Sequence, residues 1–132
     1  MSGGDGLHGA VGGDAFFERL VERFYEGVAG DEVLLPLYPE QDDLSAARRR
    51  LAMFLVQYWG GSGAYSEERG HPRLRMRHAP FAIGAVERDR WMVHMIAALD
   101  ATAAERGVAP ELRDEMADYF ARAAEHMVNR AG

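Results

Sequence analysis

Apolar side chains recur along this chain at the period of an α-helix, and that periodicity limits the folds open to it. Phe17, Leu20, Val21, Phe24, Tyr25 and Val28 follow one another at steps of three, one, three, one and three, which puts all six on one helical face. Asp14 suits the N-cap of this helix, and Gly30-Asp31 its end. A second stripe runs through Leu44, Ala47, Leu51, Phe54, Leu55 and Tyr58, with Asp43 as its cap and Gly60 just past its end. A third helix is expected over roughly 85–101, carrying Trp91, Met95, Ala98 and Leu99 on one face. Pro110 opens a fourth, striped by Leu112, Met116, Tyr119, Phe120, Ala123 and Met127. No period-two run of β-branched residues interrupts the pattern. The fold class is therefore all-α. Two prolines forbid a long helix over 34–39, and a loop-rich segment separates the second and third helices.

At 132 residues the chain fits one domain. Fifteen Lys and Arg against 21 Asp and Glu leave a charge of −6, which speaks against nucleic acid or an anionic membrane surface as partner. The absence of cysteine excludes disulfides, thiolate metal sites, Fe–S clusters and covalent haem attachment. Residues 1–12 are rich in glycine and are expected to form a flexible leader ahead of a domain over 13–132. The leader has neither the basic nor the apolar region of a signal peptide, and no stretch approaches the roughly 18 apolar residues of a membrane span. The cytoplasm is the expected location.

The segment over 60–80 is long for a connection without function. It contains Gly70-His71-Pro72-Arg73-Leu74-Arg75-Met76-Arg77-His78-Ala79-Pro80-Phe81. Pro72 suits the first turn of a short helix ending near His78, because the residue before Pro80 avoids the α region. A lone helical histidine is more often a satisfied surface or core residue than a ligand. The neighbourhood favours the ligand. Leu74 lies four residues earlier on the same face, and arginines crowd around. One imidazole beside an apolar side chain suits haem iron, with Leu74 against the porphyrin and Arg75 or Arg77 at the propionates. Met76, two residues from His78, falls on another face and is no axial ligand. Tyr25, Tyr38 and Trp91 each set one donor on an apolar surface. The commoner role for such residues is core packing; grouped around a small ligand, the three would stabilise negative charge on it.

The motifs, taken together, resemble the truncated haemoglobins of group II, the O type. They are Arg23-Phe24-Tyr25, Leu37-Tyr38-Pro39-Glu40, Met53-Phe54-Leu55, Gln57-Tyr58-Trp59-Gly60-Gly61, Tyr65-Ser66-Glu67, the run over 70–81, and Glu87-Arg88-Asp89-Arg90-Trp91. The match covers about 11–129. It departs from the family in the leader and in one apparent extra residue within 40–43. The resemblance implies a two-over-two helical sandwich around haem b, with His78 as the proximal iron ligand. Tyr25, Tyr38 and Trp91 would furnish the distal side. Ala47 falls where many globins place a distal histidine, and Leu51 would line the pocket one turn later. Phe54 would pack on the haem edge, Leu74 and Phe81 would complete its apolar contacts, and Arg77 or Arg50 would meet the propionates.

Other residues read more plainly. His8 is expected to be solvated in the leader, His71 to hydrogen-bond the short helix, and His94 and His126 to lie off the apolar stripes. The arginines over 48–50 read as a solvated face, except that Arg50, next to Leu51, is kept as a candidate to reach over the haem edge. The leading functional reading is a haem protein that binds O2, CO, NO or other diatomic ligands and releases O2 slowly, for storage, sensing or redox work. The alternative is an enzyme, a haem peroxidase or nitric oxide dioxygenase supplied by an unidentified electron donor. A haem-free helical module is the third reading. Self-association stays open.

Overall fold

The computed structural model describes residues 3–38, 43–73, 78 and 81–129. The described residues form six α-helices: α1 (Gly3–Ala10), α2 (Asp14–Ala29), α3 (Ser45–Tyr58), α4 (Ala64–Arg69), α5 (Ala85–Arg106) and α6 (Pro110–Met127). One 3-10 turn, Leu35–Leu37, sits where the prolines forbid more. No strand occurs among the described residues.

The helices stack as two pairs. α2 packs on α3, α5 packs on α6, and α2 lies across α5. The α2 stripe is the centre of the core: Phe17, Leu20, Phe24 and Val28 are fully buried, against Met95 and Leu99 of α5 and Met116 and Phe120 of α6. Burial of each such side chain stabilises the fold by about 1.5–3 kcal/mol. Polar ties fix the crossing. Arg23 of α2 donates to Thr102 Oγ1 at 3.1 Å and to Glu105 at 2.7 Å, both on α5.

Three expectations are corrected. First, the leader is not loose over its described part. α1 is helical, and Leu7 and Val11 are 2% and 3% exposed in the core. Their four-residue spacing makes an apolar edge that abundant glycine masks from composition. His8 is likewise held, not solvated. It bonds Asp14 at 2.8 Å, and its ring stacks on Phe17 at 5.8 Å. The backbone of Gly61 passes so close that a Cβ there would stand 2.7 Å from His8 Nε2. Second, the segment after α3 contains α4. Tyr65 packs edge-on to Phe54 at 5.6 Å, and Gln57 brackets Ser66 with bonds of 2.8 and 3.0 Å. Six residues are too few to display a period. Third, Pro72 and Arg73 are not helical; Arg73 has φ 43°, and its N–H donates to His71 Nδ1 at 3.2 Å. Residues 74–77, which carry the rest of the expected short helix, lie outside the described residues, as do 79 and 80 and, of the segment 40–43 with its one apparent extra residue, 40–42.

α5 also runs on to Arg106, beyond the expected end near 101. The extension is alanine-rich and helix-forming, and Gly107 stops it.

Candidate functional site

The stacked pairs leave a cavity of about 510 Å³ between them, a size suited to a cofactor. α2 contributes Tyr25. The turn after it contributes Leu34, Leu37 and Tyr38. From α3 come Ala47, Arg50, Leu51 and Phe54. His78 and Phe81 form the wall from the segment before α5, which adds Trp91; α6 adds Tyr119 and Phe120. Spacing explains the convergence. Ala47, Arg50, Leu51 and Phe54 follow at i, i+3, i+4 and i+7, one face of α3.

The aromatic groups pack on one another. Tyr25 and Tyr38 meet edge to face at 5.6 Å, and Tyr25 meets Phe24 at 4.9 Å. Trp91 is half-buried, set edge-on to Phe24 at 5.3 Å and Phe120 at 6.0 Å. Burial pushes the Tyr25 phenol far above its ordinary range. Tyr38 adds to the rise through its charge and through a hydrogen bond between the hydroxyls, against a smaller opposing effect of Arg50. Burial raises Tyr38 too, while the same hydrogen bond lowers it. Both phenols are neutral donors at any physiological pH. His78 is half-buried; its carbonyl accepts the Phe81 N–H at 2.9 Å, and the two rings lie 6.4 Å apart. The Asn129 side chain donates to the Phe81 carbonyl at 2.9 Å, tying this wall to the end of α6.

The Leu34–Tyr38 side of the cavity has its own anchor. Asp31 is 4% exposed. Its Oδ1 accepts the N–H groups of Val33 and Leu34 at 2.8 and 3.1 Å. Its Oδ2 meets Arg90 at 3.0 Å and His94 at 2.7 Å. Burial alone would raise this carboxyl. Arg90, His94 and the two amides outweigh it and hold the group well below the usual carboxylate range.

Of the residues singled out from sequence, His78, Tyr25, Tyr38, Trp91, Ala47, Leu51, Phe54, Phe81 and Arg50 line this one cavity. Leu74 and Arg77 lie outside the described residues. Sequence reading missed Asp31, because a buried carboxylate and an ordinary surface turn residue look alike in a string. It also took Tyr119 and Phe120 for core alone. Their place on the α6 stripe was the signal, but periodicity does not separate a core face from a cavity face. Arg69 and Arg88 are further cations at the wall. Among the described residues no helix is long and apolar enough to cross a membrane, and no cluster of three His, Cys, Asp or Glu side chains gathers to hold a metal.

A largely apolar chamber with one imidazole, five aromatic residues bearing a donor (Tyr25, Tyr38, Tyr65, Trp91 and Tyr119) and cations among its described lining residues fits a haem. Comparison with known proteins points the same way. The profile of the family Bacterial-like globin matches residues 6–129. The group 2 truncated hemoglobin YjbI of Bacillus subtilis is 39% identical over 118 residues, 89% of this chain and 85% of that protein. A thermostable hemoglobin of Thermobifida fusca superposes with a TM-score of 0.88 at 55% identity, covering 93% of this chain and 96% of the other. A truncated oxygen-avid haemoglobin of Bacillus subtilis does so with a TM-score of 0.83 at 38% identity, covering 93% and 98%. The chain belongs to the bacterial-like globins and is a group II truncated haemoglobin, a two-over-two helical haem protein that binds small diatomic ligands such as O2.

Proposed function

We propose that this globin holds haem b noncovalently, binds O2 and releases it slowly, for storage, sensing or redox work in the cytoplasm. The observation that carries the reading is the meeting of His78 with Tyr25, Tyr38 and Trp91 around one cavity. Haem, when bound, would supply an iron able to take O2, CO or NO. In this reading His78 holds the iron from the proximal side through its neutral imidazole. Leu51, Phe54 and Phe81 would exclude water from the porphyrin, a contact to which the family resemblance also assigns Leu74. Arg50 and Arg77 are the cations assigned to the propionates, where bidentate contact is geometrically favoured. Ala47 leaves the distal side without a histidine, so polarity there comes from the tyrosines and the tryptophan.

Tyr25, Tyr38 and Trp91 hold neutral donors toward a ligand that gathers negative charge. Each hydrogen bond to such a ligand is worth about 1.5–3 kcal/mol, and ring packing fixes the donors before the ligand arrives. A relative described as oxygen-avid supports slow release here. Absorption spectra of the purified protein, ferric, ferrous and with CO, test the reading. A Soret band that shifts with CO is expected, and acid-acetone should extract all the haem. Haem retained on the polypeptide, or no Soret band, contradicts it.

A further inference from the structure

The three distal donors stand on three separate pieces of backbone: Tyr25 on α2, Tyr38 just past the 3-10 turn, and Trp91 on α5. The turn is the least secured of the three. Leu35–Leu37 buries none of its own side chains fully, and Tyr38 is only half-buried. Apolar packing therefore holds this piece weakly. Hydrogen bonds from Asp31 do the holding. The Asp31 N–H donates to the Val28 carbonyl of α2 at 3.0 Å, and its own carbonyl accepts the Leu35 N–H at 2.9 Å. The Leu35 carbonyl in turn accepts the Tyr38 N–H at 3.0 Å. The Asp31 carboxylate takes the Val33 and Leu34 amides from within the turn. From α5, Arg90 grips both of its oxygens, Nε to Oδ2 at 3.0 Å and Nη2 to Oδ1 at 3.3 Å, while His94 holds Oδ2. Arg90 and His94 are four residues apart on one face of α5, and Trp91 lies between them in sequence.

We propose that Asp31 is a positioning residue of the distal site: it fixes Tyr38 against Tyr25 and beside the helix of Trp91, and through Tyr38 it sets how fast O2 leaves. The inference rests on the haem reading above. The Asp31 side chain is 2% exposed. Burying a carboxylate is a costly way to gain stability alone, since its desolvation offsets most of the attraction of its partners. What the arrangement supplies is a fixed geometry. A hydrogen bond weakens steeply with angle and distance, and a donor held in place before the ligand arrives is worth more than one that must be recruited. Without the carboxylate, the turn loses both its internal acceptor and its tie to α5. The Tyr38 hydroxyl then meets Tyr25 and the bound ligand for only part of the time.

The test uses haem-bearing parent, Asp31→Ala, Asp31→Asn, Tyr38→Phe, and Asp31→Ala with Tyr38→Phe, with Leu7→Ala as a destabilised control away from the cavity. Three quantities are read well below the unfolding temperature: O2 dissociation by stopped flow, the C–O stretching band of the ferrous CO form, and amide exchange over 33–38. Asp31→Ala should release O2 about three- to tenfold faster, the partial loss of one hydrogen bond to the ligand. Its C–O band should broaden and move to higher frequency, toward that of Tyr38→Phe, and amide protection over 33–38 should fall. Asp31→Asn, which keeps an oxygen for the amides but not the charge, should lie between Asp31→Ala and the parent. In the Tyr38→Phe background the rate effect of Asp31→Ala should shrink below about twofold. Leu7→Ala should keep the parent's C–O band.

A parental rate and C–O band in Asp31→Ala would overturn the inference, as would a full effect that survives in Tyr38→Phe or a band shift of the same size in Leu7→Ala. If Asp31→Ala does not fold, Asp31→Asn decides by the same readings, and a parental rate and band there overturn the inference. These outcomes leave the haem reading standing. A parent without a Soret band overturns both.

Discussion

The backbone of Gly27 in α2 lies flat against the imidazole of His94 in α5: a Cβ on Gly27 would stand 2.4 Å from His94 Nδ1. His94 cannot turn away freely, because its Nε2 is held by Asp31 at 2.7 Å. Glycine inside a helix normally costs about 1 kcal/mol relative to alanine. Here the sign reverses. Gly27→Ala should destabilise the protein, since overpacking costs about 1–3 kcal/mol and the Asp31 contact is lost as well. In a His94→Ala background the same substitution should become stabilising. Chemical denaturation of the four proteins in the cycle checks this, and equal effects in both backgrounds would disprove the contact's role.

Asp31 carries a pH dependence. Its carboxyl is depressed in the folded state, so the stability it contributes is complete above the ordinary carboxylate value of about 3.9. That contribution drains away as pH falls below this value toward the depressed one. Asp31→Ala also leaves the Val33 and Leu34 N–H groups without their acceptor, at about 1–3 kcal/mol. Acid unfolding should therefore be steeper below pH of about 4 in the parent than in Asp31→Ala. Asp31→Asn, which keeps an oxygen for the amides, should recover part of the loss at neutral pH. Parallel acid-unfolding curves for parent and variant would exclude the mechanism.

Leu7→Ala should cost about 2–5 kcal/mol, as for other buried leucines. A truly flexible leader would make the substitution silent in thermal unfolding.

That contrast shows where the sequence was readable. The stripes over 17–28, 44–58 and 112–127 were long enough to reveal their period, and they place most of the cavity wall. α1 and α4 were hidden because eight and six residues cannot establish one, and glycine dilutes the first. The aromatic site residues were legible only through motif order. Tyr25 on a helical stripe looks the same whether its hydroxyl faces a carbonyl or a cavity. Asp31 was illegible for a different reason: its partners Arg90 and His94 lie about sixty residues away, and only the crossing of α2 and α5 brings them together.

Trp91→Phe keeps an aromatic ring and deletes the donor. If the lost hydrogen bond is worth about 1.5–3 kcal/mol in the liganded state, O2 dissociation should accelerate by about ten- to a hundredfold. Tyr25→Phe should act in the same direction. The two effects should not add, because both groups serve one ligand. Stopped-flow dissociation from the single and double variants measures this. An unchanged rate in Trp91→Phe would leave the tryptophan a packing residue.

The central claim, that His78 is the iron's protein ligand, is tested most directly by titrating apo His78→Gly with haem and following the Soret band, with and without imidazole in solution. The account predicts that the variant binds haem poorly alone, loses the thermal stabilisation that haem gives the parent, and regains both when imidazole fills the gap. A variant with the parent's Soret band and stability in the absence of imidazole would contradict it.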